Sequence, residues 1–125
     1  MHGLLLDTNA LFYYVTASSK FGARTRKLLD NSELHFSPLS VVELKQKSSK
    51  GKLALSRLDP DMFVELGMNS ISFNSDAAHA FELLANDDPF DNMLLAQAKA
   101  SDIKFLTADL KILKLELNYV LDLTD

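Results

Sequence analysis

The chain has 125 residues, 47% of them hydrophobic and 24% charged, which suits one compact domain over residues 1–125 with a proper core. It has no cysteine, so a disulfide framework and thiolate metal sites are excluded, and a reducing, cytoplasmic setting is expected. A net charge of −4 argues against gross non-specific nucleic-acid affinity, and no apolar stretch approaches the roughly 18 residues that cross a membrane.

In chain order, Leu4 to Leu6 is a short apolar run suited to a buried parallel strand. Thr8 and Asn9 are placed to cap a helix through Leu11, Phe12 and Val15. After Ser18 and Ser19, residues 20–30 read as a polar helix with Phe21, Leu28 and Leu29 inward, followed by a strand at Leu34 to Phe36. Ser37-Pro38 supplies a cap and an N1 proline for a helix containing Val41, Val42 and Leu44, which Gly51 or the turn near it ends. Asp59-Pro60 opens a short helix through Phe63 that Gly67 closes.

Ser70 to Phe73 alternates like a strand, and Ser75 caps a helix with Ala77, Phe81 and Leu84 on one stripe. Asp88-Pro89 starts the next helix, with Phe90, Leu94 and Ala98 inward. Ile103 to Thr107 reads as a strand, residues 109–115 as a short helix and Tyr119 to Leu121 as a fifth strand. Strands alternating with helices predict an α/β fold with a mainly parallel sheet covered on both faces.

Within that order, four acids fall where one element passes to the next: Asp7, Glu43, Asp91 and Asp109. Ligands of open α/β sheets bind outside the carboxyl ends of the strands, so these four are placed to share one crevice. Each also has a plain structural explanation. Asp7 and Asp109 suit helix caps, Asp91 suits the first turn after the N-cap Asp88, and Glu43 pairs with Lys47 at i,i+4. Their shared edge is what favours a site. Leu39 and Val42 mark a buried stripe beside Glu43, and Ser40 shares its face.

Two carboxylates 4 Å apart repel by about 4 kcal/mol at an effective dielectric of 20, so such a cluster wants a cation. Oxygen donors without soft ligands select Mg²⁺ or Mn²⁺, and the chemistry they best support is phosphodiester hydrolysis. His2, His35 and His79 lack zinc-ligand spacing, and no phosphate-binding glycine loop is present. Charge is uneven: Lys45, Lys47, Lys50, Lys52 and Arg57 stand against Glu43, while Asp76, Glu82, Asp87, Asp88, Asp91 and Asp102 stand against Lys99. A basic patch beside an acidic pocket suits a bound polyanion, although a solvated helix face would look the same.

Four stretches resemble the PIN domain, and more narrowly the VapC-type toxin ribonucleases of toxin–antitoxin pairs. They are Leu4 to Leu11, Ser37 to Lys47 around Val42-Glu43, Asp88 to Ala98, and Leu106 to Asp109. The resemblance implies a three-layer α/β/α sandwich, here with a five-stranded sheet, and a metal pocket of Asp7, Glu43, Asp91 and Asp109. Thr8, Asn9, Asp88 and Thr107 would support it. It also implies Mg²⁺ or Mn²⁺, an RNA substrate, a homodimer and a cognate antitoxin that blocks the pocket. Lys45, Lys47, Lys50 and Lys52 become candidates for RNA backbone contacts, and Tyr13 and Tyr14 for base stacking or a protein surface, with Phe12 in the core. Asn92 departs from the pattern, which often has Arg or His there, and this alters how substrate phosphate would be held. A non-catalytic binding module and a nuclease acting on DNA are the alternatives.

Overall fold

A computed structural model describes residues 3–49, 57–84 and 88–125. The strands are β1 (Gly3–Leu6), β2 (Glu33–Phe36), β3 (Asn69–Ser70), β4 (Lys104–Thr107) and β5 (Val120–Asp122). Between them lie α1 (Thr8–Thr16), α2 (Ala23–Asp30), α3 (Pro38–Ser49), α4 (Pro60–Glu65), α5 (Ser75–Ala80), α6 (Pro89–Ala100) and α7 (Leu110–Leu113). The strands form one sheet in the order β3-β2-β1-β4-β5, and every neighbouring pair is parallel. The expected five-stranded parallel sheet is therefore the one observed.

The strand alternation builds two cores. Leu4 and Leu6, with Leu106, face a cluster that includes Ala10 and Leu11 of α1, Val41 and Leu44 of α3, and Phe63 of α4. Leu5 and Phe105 face the other way, onto Leu94, Leu95 and Ala98 of α6 and Ile112 of α7. Leu4, Leu5 and Leu6 are all fully buried, each contributing about 1.5–3 kcal/mol by leaving water. Helices on both faces of one sheet make the three-layer sandwich.

Several local expectations are corrected. Asp7, not Thr8 or Asn9, is the N-cap of α1, accepting the Ala10 N–H at 2.7 Å. Phe21 is buried but precedes α2, which begins only at Ala23. The strand expected at Ser70 to Phe73 is two residues long and lies one position earlier, at the sheet edge. Asn74, not Ser75, caps α5, and the helix ends at Ala80 because Phe81 turns to an extended conformation. The buried positions of α3 are Ser40, Val41 and Leu44, whereas Val42 is exposed. The Pro-started helices hold: Asp59 and Asp88 cap α4 and α6, and Gly67 takes the positive φ that ends the turn after α4. The end expected at Gly51 lies outside the described residues.

The topology fixes where a ligand would sit. The chain runs from β1 outward to β2 and β3, then restarts on the other side of β1 with β4 and β5. The carboxyl ends of β1 and β4 therefore flank a topological switch point, the usual crevice of open α/β sheets.

Candidate active site

Asp7 leaves β1 at that crevice and is 5% exposed. Its backbone N–H continues the sheet by donating to Leu106 O at 3.1 Å. Its Oδ1 accepts from Ala10, and its Oδ2 accepts the hydroxyl proton of Thr107. Burial pushes the carboxyl up to about 6, opposed by the Thr107 and Ala10 bonds and reinforced by the negative charges of Asp91 and Asp109. Two of the other three expected acids thus act on Asp7 at the β1–β4 edge.

Thr107, fully buried at the end of β4, accepts the Asp109 N–H at 3.0 Å through the same oxygen that donates to Asp7. Asp109 is the N-cap of α7, with its Oδ1 accepting the Lys111 N–H at 2.8 Å. Asp91 stands in the first turn of α6, just after the N-cap Asp88, whose Oδ1 accepts the Phe90 N–H at 2.9 Å. The capping explanations for Asp7, Asp88 and Asp109 are therefore real, and they coexist with convergence. A cap uses one carboxylate oxygen.

Glu43 joins from α3 through Thr8. The Thr8 hydroxyl, on the first residue of α1, donates to Glu43 Oε1 at 2.5 Å and lies 3.1 Å from the Ser40 hydroxyl. Ser40 is fully buried and Thr8 5% exposed, so a polar seam runs between α1 and α3 beside Asp7. Sequence reading placed Ser40 on the Glu43 face without giving it a role. Lys47 lies 4.0 Å from Glu43 Oε2, and its Nζ donates to Asn9 Oδ1 at 3.5 Å, closing the outer end of the seam. The i,i+4 pair thus exists, but Glu43 keeps only 15% of its side chain exposed and faces the seam.

Lys45 is exposed on α3, while Lys50 and Lys52 lie outside the described residues. Phe12, Tyr13 and Tyr14 are all partly buried against the core, and Lys20 sits over the Tyr13 ring, 5.7 Å from its centre. Asn92, the departure noted in the sequence, is 1% exposed. Its Oδ1 accepts the Leu84 N–H at 3.0 Å and its Nδ2 donates to Asp88 O at 3.3 Å. This side chain is turned into the protein, and its role could not have been read from a family pattern that expects Arg or His.

Among the described residues, no three acidic or histidine side chains stand close enough as placed to hold one ion together. The donor set is nonetheless one that suits a hard cation. Asp7 is a desolvated carboxylate under the field of two others, and a divalent ion bound by one or two carboxylates with its remaining waters relieves that charge.

A family model described as the PIN domain matches residues 4–117. Among curated proteins no sequence matches the chain. Several solved structures share its fold. The VapBC2 complex of Rickettsia felis, bound to a DNA fragment from its promoter, matches with a TM-score of 0.69 at 17% identity, covering 96% of this chain and 98% of that one. The DNA-bound VapBC of Salmonella typhimurium gives 0.66 at 17%, covering 98% of both chains. A toxin–antitoxin complex from Klebsiella pneumoniae gives 0.64 at 18%, covering 94% and 95%. At such identities the likeness is one of fold.

Proposed function

The chain belongs to the PIN domain family, and from that premise and the acidic crevice we propose that it is a Mg²⁺- or Mn²⁺-dependent endoribonuclease. One observation carries the reading: a buried Asp7 at the switch point, held up to about 6 with Asp91 and Asp109 acting on it. A stable fold has no use for that arrangement by itself, since an isolated cap does not require like charges beside it.

Asp7, Glu43, Asp91 and Asp109 would hold the cation, with Asp88 at the rim. The cation would polarise a phosphodiester oxygen and ease deprotonation of the attacking water. The remaining work belongs to the chain. Thr107 fixes the rotamer of Asp7 and holds it ionised against burial. Thr8, whose hydroxyl also meets Ser40, would hold Glu43 beside the start of α1. Lys45 and Lys47 of α3 would supply positive charge for an RNA backbone, and Lys50 and Lys52 follow them in the sequence.

We further infer that the protein is the toxin of a toxin–antitoxin pair, a homodimer whose crevice a cognate antitoxin covers. Support comes from the family and from the toxin–antitoxin complexes whose fold it shares. No described helix is long and apolar enough to cross a membrane.

The test is cleavage of a mixed RNA pool by purified protein with Mg²⁺ or Mn²⁺, beside Asp91→Asn and a matched DNA pool. Metal-dependent cleavage of RNA by the wild type alone is the expected result. RNA binding without cleavage under either metal would leave the acids as helix caps and make the chain a binding module. Cleavage of DNA alone would move the substrate class.

A further inference from the structure

We propose that the cavity between α2 and β5 is a subsite for one nucleotide of a single-stranded RNA, with the base in the cavity and the phosphate on Arg24 and Lys27. The inference rests on the ribonuclease reading above and gives the substrate a second surface besides α3. The cavity holds about 500 Å³, a volume usual for ligand sites. Arg24, Lys27, Leu28 and Asn31 form one wall, at the i, i+3, i+4 and i+7 spacing of a single helix face. Leu121 and Asp122 of β5, with Asp125, form the other, and Thr25 Oγ1 joins the walls by donating to Asp122 O at 3.3 Å.

The two walls differ in charge. Cations stand on the helix wall and carboxylates on the strand wall, yet among the described residues neither Arg24 nor Lys27 forms an ion pair. Lys20 and Arg26 are also without one, and all four cations are exposed. No acid interrupts residues 20–27, in a chain whose net charge is −4. Such a segment offers counter-charge to a phosphodiester backbone. Leu28 and Leu121 offer the apolar contact that a splayed-out, unstacked base takes. Asn31 Nδ2 donates to Lys27 O at 2.7 Å, which leaves its Oδ1, with the two carboxylates, as an acceptor. Those acceptors suit the amino groups of a base and repel its phosphate, so the nucleotide is oriented with its phosphate toward α2.

Continuity with the crevice favours a nucleic acid over a peptide as the occupant. Thr107, which bonds Asp7, accepts the Leu123 N–H at 2.9 Å, and Leu123 O accepts the Gly22 N–H at 3.0 Å. β1, β4 and β5 are successive strands, so at about 4.8 Å per strand the start of α2 lies on the order of 10–15 Å from Asp7. A few nucleotides of one strand cover that distance. A strand cut at Asp7 continues on both sides of the scissile bond, and this direction leads it onto unpaired cations.

The experiment uses the cleavage-dead Asp91→Asn protein and mixed-sequence single-stranded RNA containing photoreactive thiouridine. Crosslinked peptides are mapped by mass spectrometry, and RNA affinity is followed against salt. Crosslinks are expected within residues 24–31 and 120–125. Arg24→Gln and Lys27→Gln, both at exposed positions, are each expected to lower the magnitude of the log–log salt slope by about 0.7 and to weaken those crosslinks. Lys104→Gln makes the same charge change at the amino end of β4 and is expected to keep the parent slope.

RNA bound with the parent slope in both α2 variants, and no crosslink in either segment, overturns the subsite and leaves the cavity to a protein partner. The ribonuclease reading then still stands. A lowered slope without a crosslink in either segment reduces α2 to a phosphate contact and overturns the placement of a base in the cavity. A wild type that neither binds nor cleaves RNA overturns the ribonuclease reading, and this inference with it.

Discussion

Asp7 and Thr107, a hundred residues apart, share one proton-mediated contact that joins the ends of β1 and β4, and Thr107 passes it on by accepting the Asp109 N–H. The bond is among the forces that hold the Asp7 carboxyl down against burial. Thr107→Val removes the donor and leaves both Asp7 Oδ2 and the Asp109 N–H without this partner. Asp7 should then titrate above about 6, readable by NMR of its side-chain carboxyl carbon, with a stability loss of about 1–3 kcal/mol. Thr107→Ser keeps the hydroxyl and should restore both. An unchanged Asp7 titration in the valine variant would show that the bond does not hold the carboxylate.

The raised carboxyl of Asp7 also sets a pH dependence of stability. Its value climbs from 3.8 to about 6, so between those limits the folded chain binds more protons than the unfolded one. Stability from this group is therefore greatest below 3.8 and falls as pH rises through 6, by an amount on the order of 2–3 kcal/mol. Asp7→Asn, which keeps an acceptor for Ala10, should melt higher than wild type at pH 7.5 without metal and lose that advantage near pH 4. Saturating Mg²⁺ at about a hundred times its Kd should stabilise the wild type by about 2.7 kcal/mol and leave the variant unmoved. A variant that melts lower than wild type at pH 7.5 would mean that the carboxylate is not held at a cost.

These relationships differ in how far the sequence discloses them. Ser37-Pro38, Asp59-Pro60 and Asp88-Pro89 each announce a helix because cap and N1 proline act within one turn. Leu4 to Leu6 and the run ending at Thr107 announce buried strands because a parallel strand covered on both faces is apolar throughout. The four acids stand out by position, and three of them meet in the field around Asp7. What stays hidden depends on contacts between distant segments. Ser70 to Phe73 alternates, yet only Asn69–Ser70 finds β2 to pair with. The buried face of α3 is offset by one residue, at Val41 instead of Val42, because α1 packs where Ser40 meets Thr8. Asn92 looks like a missing Arg or His until its bond to Leu84 is seen.

The Thr8–Glu43 bond joins α1 to α3 at the crevice, beside the more deeply buried Thr8–Ser40 contact. Thr8→Val is nearly isosteric and removes the 2.5 Å donor, leaving Glu43 with Lys47 at 4.0 Å. With its aim loosened, Glu43 should contribute less to cation binding, and Mn²⁺ affinity should fall about tenfold, within the range of ligand-orienting partners. The helix pair should persist, so thermal stability should fall by about 1 kcal/mol for the lost bond. Equal Mn²⁺ affinity in Thr8→Val and wild type would take Glu43 out of the site.

Lys47 separates two roles that its position allows. As the i,i+4 partner of Glu43 at 4.0 Å it contributes only about 0.3–0.5 kcal/mol, and the Asn9 contact at 3.5 Å adds little at a side chain that is 35% exposed. Lys47→Met keeps the aliphatic stem and should shift stability by less than about 0.5 kcal/mol. If the ammonium meets RNA phosphate, the same change should weaken RNA binding uniformly across sequences and reduce the magnitude of the log–log salt slope by about 0.7, the single-strand value for one neutralised phosphate. Binding is best measured with the cleavage-dead Asp91→Asn background, so that turnover does not interfere. A salt slope identical to that of the parent would confine Lys47 to its pairing with Glu43 and Asn9, and would shift the backbone contacts to the other basic residues of the 45–57 stretch.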